Sequence, residues 1–196
     1  MNVLEDTKLA GVMAWPASHS LSPRLHGYWI DQYGINGVYM PLAVKPEDFQ
    51  SALKNLPKIG FAGVNVTLPH KEAALAAVDL ADDVAVQTGA VNTVIVKDNG
   101  ILFGTNTDGF GFLENLRSEL LGWRADLGPA VVLGAGGAAR AIIRALQMGG
   151  AEQVIVTNRS VERAQSVAES MGVAVSFYKD VFRETAVGRV VLQQMG

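Results

Sequence analysis

Residues 60–78 read GFAGVNVTLPHKEAALAAV and place a strand, a tight turn and a helix in direct succession. Val64 and Val66 are β-branched and lie in an apolar run, which is typical of a buried strand. Pro69 cannot donate a backbone hydrogen bond and disfavours helix at the residue before it, so the strand must end there. The run of alanine and leucine that follows predicts a helix with Lys71 in its first turn.

Lys71 is an unfavourable residue for this place, because the N-terminus of a helix carries a partial positive charge. The segment by itself leaves a solvated surface lysine as the simpler interpretation. Two further polar segments adjoin predicted strands: residues 89–93 (GAVNT) lead into Val94–Val96, and residues 104–111 (GTNTDGFG) follow Ile101–Phe103. Each could be an ordinary turn with Asx hydrogen bonds. Together they predict one crevice at a sheet edge, where α/β proteins bind ligands.

A second strand–loop–helix begins at Ala130. The predicted strand Ala130–Leu133 precedes the loop GAGGAA at residues 134–139 and the helix Arg140–Met148. This matches the dinucleotide fingerprint G-x-G-x-x-G/A in its required context. The first glycine permits the tight turn, and the second lets a pyrophosphate approach the backbone. The pattern predicts a nucleotide site at the start of this helix.

The next predicted strand, Gln153–Thr157, ends in Asn158-Arg159-Ser160. An NAD-specific site usually carries an Asp or Glu at such a place to accept from the ribose 2′-OH. Arg159 and Arg163 stand there instead, and a guanidinium matches a 2′-phosphate in charge and fork geometry. An arginine that simply covers a strand end is the alternative. We interpret the pattern as NADP binding.

Composition limits the remaining function classes. The 196 residues are 49% hydrophobic with a net charge of −3, so a sizeable core is expected and neither nucleic acid nor a membrane is a predicted partner. The absence of cysteine excludes disulfides and thiolate chemistry, and the three histidines lack zinc-site spacing, so no metal is expected. The N-terminus lacks an apolar signal region, and we expect a soluble, cytoplasmic α/β protein.

These motifs resemble the shikimate dehydrogenase family. Its patterns N-V-T-x-P-x-K, G-A-V-N-T and N-T-D-G-x-G all occur here without a substitution, within a resemblance that runs from about Leu9 to about Arg163. The resemblance implies reversible NADPH-dependent reduction of 3-dehydroshikimate to shikimate, a step toward aromatic amino acids. It implies Lys71 as the proton donor and Asp108 as its catalytic partner, within hydrogen-bond reach.

The resemblance also implies the binding residues. Ser20 and Ser22 match the S-x-S pair that binds the substrate carboxylate; from the residues alone, Ser22 is the predicted N-cap of a helix with Pro23 at its first position. Asp83 matches an acidic cofactor contact, although Asp82 and Asp83 could be a solvated loop pair. The substrate set is Ser20, Ser22, Thr67, Lys71, Asn92 and Asp108, and the cofactor set is Asp83, Gly134, Ala135, Gly136, Gly137, Ala138, Asn158, Arg159, Ser160 and Arg163.

The predicted architecture is an N-terminal, mainly parallel α/β substrate domain (1–110), a linking helix and loop (111–127), and a Rossmann-type NADP domain (128–196). About 67 residues follow the linker, roughly half of a complete doubly wound domain, so this domain is expected to be incomplete. Residues 173–178 are a predicted third strand, and residues 179–196 one more helix or a helix and a strand. The family's late substrate-binding glutamine is not identified, because Gln193-Gln194 are too isolated to assign.

Three interpretations of the whole chain remain open at this point. It is a shikimate dehydrogenase, a quinate/shikimate dehydrogenase of broader specificity, or a truncated non-catalytic module that binds NADP or shikimate. A short C-terminus is consistent with a fragment or with a natural short variant. The partners expected are a small-molecule substrate and, as a possible assembly, a homodimer.

Overall fold

The computed structural model describes residues 7–176 and the backbone of residues 191–193. The chain divides between Asn106 and Thr107 into two compact units. Each unit has its own sheet. Across the described residues, no helix combines the length and the apolar character that a membrane span requires.

The first unit alternates strands and helices along the chain. Short 3-10 helices at Pro46–Asp48 and Pro57–Ile59 flank one of its α-helices. The elements are β1 (Lys8–Ala14), α1 (Ser22–Gln32), β2 (Gly37–Ala43), α2 (Phe49–Asn55), β3 (Phe61–Val66), α3 (Lys71–Ala77), β4 (Leu80–Ala81), α4 (Asp83–Thr88), β5 (Thr93–Val96) and β6 (Leu102–Thr105).

The first sheet is mainly parallel, as predicted, with one reversed strand. Its order is β2-β1-β3-β5-β6-β4, in which β1 runs parallel to β2 and β3, and β4 parallel to β6. Strand β5 is antiparallel to both β3 and β6, and a turn at Lys97–Gly100, which contains the hairpin signal Asn99-Gly100, joins β5 to β6. Gly100 has φ 80°, which suits glycine in that turn. Because β5 is reversed, its first residues lie beside the last residues of β3 and β6.

Burial along residues 63–66 of β3 follows the period of two that a half-buried strand requires. Val64 and Val66 are buried in a core cluster with Phe49 and Leu53 of α2, whereas Asn65 lies on the opposite face. Full burial of a side chain of this size contributes about 1.5–3 kcal/mol relative to exposure. The predicted buried strand is therefore confirmed for one face, and the other face carries a polar residue.

One local prediction in the first unit is wrong, and one alternative weighed there does not hold for Asp82. Ser22 is the first residue of α1 rather than its N-cap; Leu21 holds the capping position and makes no side-chain cap, while the Ser20 hydroxyl accepts from the Ser22 N–H at 3.3 Å. Asp82 is not a solvated loop acid, because its Oδ1 accepts from the Ala85 N–H at 2.8 Å and caps α4. Helix α1 therefore begins one residue earlier than the local pattern favours, and α4 begins where the sequence analysis placed a loop.

The second unit has a parallel four-stranded sheet in the order β10-β7-β8-β9. The strand–loop–helix–strand sequence predicted from Ala130 onward is present. Of the predicted third strand, residues 177–178 lie outside the described residues, as do residues 179–190 and 194–196 of the last predicted segment. The elements are α5 (Asp108–Glu119), β7 (Ala130–Leu133), α6 (Gly137–Met148), β8 (Val154–Thr157), α7 (Val161–Met171), β9 (Ala174–Val175) and β10 (Val191–Gln193).

Helix α5, predicted as part of the link between domains, packs within the second unit against α6. A Cβ atom on Gly109 would lie 2.7 Å from the Ala141 carbonyl oxygen, so only glycine permits this approach. Ile143 and Leu146 of α6 are fully buried on the other side of the helix, in a core with Val156 of β8. Helix α6 is therefore covered on two sides, which fixes the position of its N-terminus.

Candidate functional site

Three polar segments meet at the carboxyl end of β3, as the sequence predicts. The Thr67 N–H donates to the Met13 carbonyl at 3.1 Å, which joins the end of β3 to the end of β1. The Val66 N–H donates to the Asn92 carbonyl at 2.7 Å, and the Asn92 N–H donates to the Thr105 carbonyl at 3.1 Å. This edge therefore carries Thr67, Lys71 and Asn92 on one hydrogen-bonded frame.

Lys71 is the first residue of α3, and two hydrogen bonds hold this end of the helix, one at Lys71 itself and one at the preceding residue. Its carbonyl oxygen accepts from the Val91 N–H at 2.9 Å, which ties the helix to the segment before β5. The preceding His70 is 1% exposed; its Nε2 lies 2.8 Å from the Val44 carbonyl and its ring stacks on Phe49 at 4.4 Å. Since a carbonyl only accepts, Nε2 carries the proton. Burial lowers the pKa of His70, although the hydrogen bond to Val44 opposes that shift. A neutral ring therefore anchors the helix that carries Lys71.

A chain of side-chain hydrogen bonds runs along the same edge. The Tyr39 phenol donates to Asn65 Oδ1 at 2.7 Å, and Asn65 Nδ2 donates to Thr93 Oγ1 at 3.2 Å. The Thr93 hydroxyl in turn donates to Asn92 Oδ1 at 2.9 Å. The sequence prediction includes only Asn92 of these four residues. Asn65 could have been found, because a polar residue between two buried valines must occupy the open face of β3.

The two predicted carboxylate-binding serines lie in the loop after β1 and at the start of α1. Both are partly exposed, and the Ser20 hydroxyl accepts from the Ser22 N–H. Burial raises the pKa of Tyr39 to about 12, and a hydrogen bond from the Ser22 hydroxyl opposes that shift. Ser22 thus influences the phenol that begins the hydrogen-bond chain to Asn92.

Asp82 and Asn106 hold the segment that leads to Asp108. Asp82 Oδ2 accepts a short hydrogen bond from the Thr105 hydroxyl at the end of β6. Asn106 Nδ2 donates to the Ala90 carbonyl at 2.9 Å and is buried. Asp108 itself is the first residue of α5 and belongs to the second unit. The predicted hydrogen bond between Lys71 and Asp108 therefore joins residues of two units and stays a prediction.

Asp83, predicted as a cofactor contact, is exposed as the first residue of α4. Its neighbour Asp82 makes the hydrogen bonds that hold this helix. The side chain of Asp83 is therefore not required for the cap, and its predicted role stays a prediction.

The glycine loop of the second unit fits the phosphates of a dinucleotide. Gly134 has φ 129°, a conformation that favours glycine, and its N–H donates to the Thr157 carbonyl at 2.8 Å. Gly136 is the N-cap of the 12-residue helix α6 and supplies no side-chain cap. The first N–H groups of such a helix lack partners within it and favour an anion. Residues 134–138 are partly exposed, so a ligand can reach them.

The segment after β8 presents two arginines to solvent. Arg159 and Arg163 are both exposed, which suits contact with a phosphate. The Ser160 hydroxyl accepts from the Arg163 N–H at 3.3 Å and caps α7, and it also donates to Glu162 at 2.8 Å. Asn158 Nδ2 donates to the Ser160 carbonyl at 3.2 Å. The roles predicted for Ser160 and Asn158 toward a cofactor thus add to structural roles that both already have.

Thr157 is a buried polar residue that the sequence does not single out. Its Oγ1 is buried without a hydrogen-bond partner among the described residues, directly before Asn158. A buried hydroxyl without a partner costs about 1–3 kcal/mol. No sequence pattern indicates it, because threonine is also an ordinary strand residue.

Within residues 7–176 and 191–193, no group of three or more histidine, aspartate or glutamate side chains is arranged to hold a metal ion.

Two family models match the chain. The model of the shikimate dehydrogenase substrate binding domain matches residues 12–94, and the model of shikimate / quinate 5-dehydrogenase matches residues 124–186. The first match includes β3 and the segment before β5, and the second includes the glycine loop and Arg159. The two matches therefore fall on the two sites described above.

Curated relatives and solved structures agree with these models. Shikimate dehydrogenase (NADP(+)) of Paramagnetospirillum magneticum is 53% identical over 165 residues, which are 84% of this chain and 60% of the relative. The shikimate 5-dehydrogenase of Thermus thermophilus, solved with NADP(H) and shikimate, has a TM-score of 0.80 at 43% identity and 62% coverage of its own chain, with 86% of this chain covered. Shikimate dehydrogenase from Aquifex aeolicus has a TM-score of 0.87 at 35% identity, covering 97% of this chain and 70% of that one. The chain spans about three fifths of the length of the curated relatives it matches.

Proposed function

Because the chain belongs to the shikimate dehydrogenase family, we propose that it catalyses the reversible NADPH-dependent reduction of 3-dehydroshikimate to shikimate. The observation that carries the proposal is the polar edge of the first sheet, where backbone hydrogen bonds bring Thr67, Lys71 and Asn92 together. A polyhydroxylated carboxylate needs hydroxyl, amide and cationic groups in such a cluster. The name of the Paramagnetospirillum magneticum relative and the shikimate bound in the Thermus thermophilus structure support the same substrate.

Lys71 is the proposed general acid. A carbonyl that becomes an alcohol gains a proton on oxygen, and the ammonium group can donate that proton at the start of α3. Its positive charge also stabilises the developing alkoxide. NADPH supplies the hydride when bound. Asp108 is proposed to orient Lys71 and the substrate hydroxyls, together with Thr67 and Asn92.

The carboxylate of the substrate is proposed to bind at Ser20 and Ser22. Both hydroxyls lie at the start of the 11-residue helix α1, where the positive end of the helix dipole favours an anion. The first turn of α1 contains no acidic side chain, so no like charge opposes a carboxylate there.

NADP is the proposed cofactor, held by the second unit. The loop 134–138 is proposed to contact the pyrophosphate through its backbone, and Arg159 and Arg163 the 2′-phosphate. Asn158 and Ser160 are proposed to hold the segment that carries Arg159 against the cofactor. Asp83 of α4 is proposed as an additional cofactor contact. Residues 1–110 are thus proposed as the substrate domain, 111–127 as the link and 128–196 as the NADP domain. A cytoplasmic location and a homodimer stay predictions.

Quinate is a second candidate substrate, because the family model that matches residues 124–186 includes both shikimate and quinate 5-dehydrogenases. The two substrates differ in a ring hydroxyl and a double bond. Ser20, Ser22 and Thr67 are the described residues whose hydroxyls could distinguish them.

The test is a spectrophotometric assay of the full chain with shikimate or quinate, and NADP or NAD, beside calorimetric titrations of each ligand. We expect shikimate with NADP to give the highest kcat/KM. A higher kcat/KM with quinate would select the second candidate. Ligand binding without any turnover would identify a non-catalytic binding module and contradict the proposal.

A further inference from the structure

We propose that Tyr39 is a positioning residue that fixes the orientation of the Asn92 amide. The inference rests on the proposed function, in which Asn92 binds the substrate. Tyr39 is on β2, and neither its position nor its residue type marks it as a site residue in the sequence. It acts through the hydrogen bonds of Asn65 and Thr93.

Each of the three hydrogen bonds between Tyr39 and Asn92 has a definite donor and acceptor. The phenol donates to Asn65 Oδ1 at 2.7 Å, so the Asn65 amide must direct its Nδ2 toward Thr93, at 3.2 Å. The Thr93 hydroxyl accepts that bond and therefore has its single proton available for Asn92 Oδ1, at 2.9 Å. Once Oδ1 of Asn92 is held, its Nδ2 points to the opposite side of the amide. The Thr93 hydrogen bond thereby fixes which side of the Asn92 amide carries the donor group.

An amide needs such a bias because its oxygen and nitrogen have nearly the same shape. Without the Thr93 hydrogen bond, the flipped and unflipped orientations of Asn92 would differ little in packing. A substrate would then bind only the fraction of molecules with the correct orientation, and its apparent affinity would fall by that fraction.

The environment of Tyr39 suits a fixed donor. Burial raises its pKa to about 12, so the phenol keeps its proton at any pH at which the protein would be assayed. Its ring stacks on His26 with centroids 4.0 Å apart and planes 5° apart. The ring is therefore held independently of the hydroxyl, and Tyr39→Phe should remove the hydrogen bond while the stacking remains.

The phenol also connects two parts of the proposed substrate site. It donates to Asn65, and the Ser22 hydroxyl lies near enough to lower its pKa. The serine proposed for the carboxylate and the asparagine proposed for a ring hydroxyl thus belong to one network. In such networks one partner polarises the next, so a loss at one member is felt at the others.

The experiment compares Tyr39→Phe with Tyr28→Phe in the full chain. Tyr28 is 62% exposed on α1, and its variant controls for the loss of a phenol away from the network. The readouts are the assigned side-chain amide resonances of Asn65 and Asn92, and the calorimetric Kd values of shikimate and NADP. We expect Tyr39→Phe to move both amide resonances and to raise the shikimate Kd by roughly 2- to 13-fold, the equivalent of one neutral hydrogen bond. The NADP Kd should not change.

Thr93→Val provides a second break in the same chain, because it removes the hydroxyl and keeps the shape. If the hydrogen bonds from Tyr39 to Asn92 act cooperatively, this variant should raise the shikimate Kd to a similar extent. The double variant with Tyr39→Phe should then add little to either single one.

The outcomes separate this inference from the proposed function. An Asn92 resonance that Tyr39→Phe leaves unmoved would overturn the inference, whether or not shikimate binds. Equal losses of shikimate and NADP affinity would also overturn it, since they indicate a general structural role. A wild-type chain that binds no shikimate, with the Asn92 resonance still sensitive to Tyr39→Phe, would overturn the proposed function and leave the hydrogen-bond chain standing.

Discussion

The polar edge of the first unit and the glycine loop of the second are two binding sites built in opposite ways. At the first edge, the candidate groups are side chains, and other side chains hold them: Asn92 is fixed by Thr93, and Asp82 holds Thr105. At the glycine loop, the candidate groups are backbone N–H groups at the start of α6, where Gly136 and Gly137 carry no side chain.

This difference follows from the chemistry of the two proposed ligands. A phosphate is a concentrated charge, which a helix N-terminus can bind through its backbone without any specific side chain. A ring with several hydroxyls must be bound by donors and acceptors in a definite order, which requires oriented side chains. The first site should therefore be sensitive to single side-chain changes, and the second should be sensitive mainly in the segment that carries Arg159.

The largest effect is expected for Lys71→Ala. Loss of a general acid typically costs about 10²–10⁴-fold in rate, whereas a surface lysine contributes nothing to it. Steady-state kinetics of the full chain should show this loss in kcat, with a smaller change in shikimate affinity. Lys54→Ala, at an exposed position of α2, is the matched control and should keep wild-type turnover. Near-full turnover in Lys71→Ala would show that the proton comes from elsewhere.

The next effect belongs to the second site, at Arg159→Ala. A charge-assisted hydrogen bond contributes about 1.5–3 kcal/mol, or roughly 10- to 150-fold in affinity. We expect the Kd of NADP to rise within that range while the Kd of NAD stays nearly unchanged, because NAD has no 2′-phosphate. Arg117→Ala, on the exposed side of α5, serves as the control for a lost surface arginine. Equal losses for both cofactors would assign Arg159 a structural role.

The sequence predicts the glycine loop more directly than it predicts the polar edge. The glycine loop is local: strand, loop and helix follow one another, so the pattern and the structure coincide. The polar edge depends on the reversal of β5, and the turn at Lys97–Gly100 is the only local signal of it. The meeting of the three segments could therefore be predicted, since each adjoins a strand end.

The supporting residues could not be predicted in the same way. Tyr39 and Asn65 are 26 residues apart, and only the pairing of β2 and β3 with β1 brings them together. The local pattern favours a solvated acid at Asp82, because its partner Thr105 is 23 residues away. Long-range pairs leave no periodicity in the sequence, and the resemblance to a family supplies the ligand contacts rather than the residues behind them.

Asp82→Ala should test whether the first site depends on its side-chain supports. The variant loses the cap of α4 and leaves the Thr105 hydroxyl without its acceptor. Loss of an N-cap alone costs about 0.5–2 kcal/mol, so the free energy of unfolding in urea should fall by at least that amount. Asp82→Asn keeps a capping oxygen and should lose less. Asp98→Ala, in the exposed turn between β5 and β6, should lose little, and an equal loss there would contradict the assignment.

The smallest effect concerns His70, which anchors the helix of Lys71. Burial lowers its pKa below the ordinary value of 6.5, so the unfolded chain binds a proton more readily than the folded one. The stability that the neutral ring contributes is present above pH 6.5 and is lost as the pH falls from there toward the folded-state pKa. The slope for one proton is at most about 1.4 kcal/mol per pH unit.

Urea unfolding at pH 7.5 and at pH 5.5 measures this loss, with His70→Gln as the test variant. Glutamine keeps an N–H donor for the Val44 carbonyl but does not titrate, so the variant should lose less stability than the wild type between the two pH values. His26 also has its pKa lowered by burial and contributes in the same direction in both proteins, so it cancels in the comparison. His19→Gln, at an exposed position, should reproduce the wild-type loss. If His70→Gln reproduces it as well, the buried His70 ring is not the group whose protonation weakens the first unit, and the pH dependence must come from other groups such as His26.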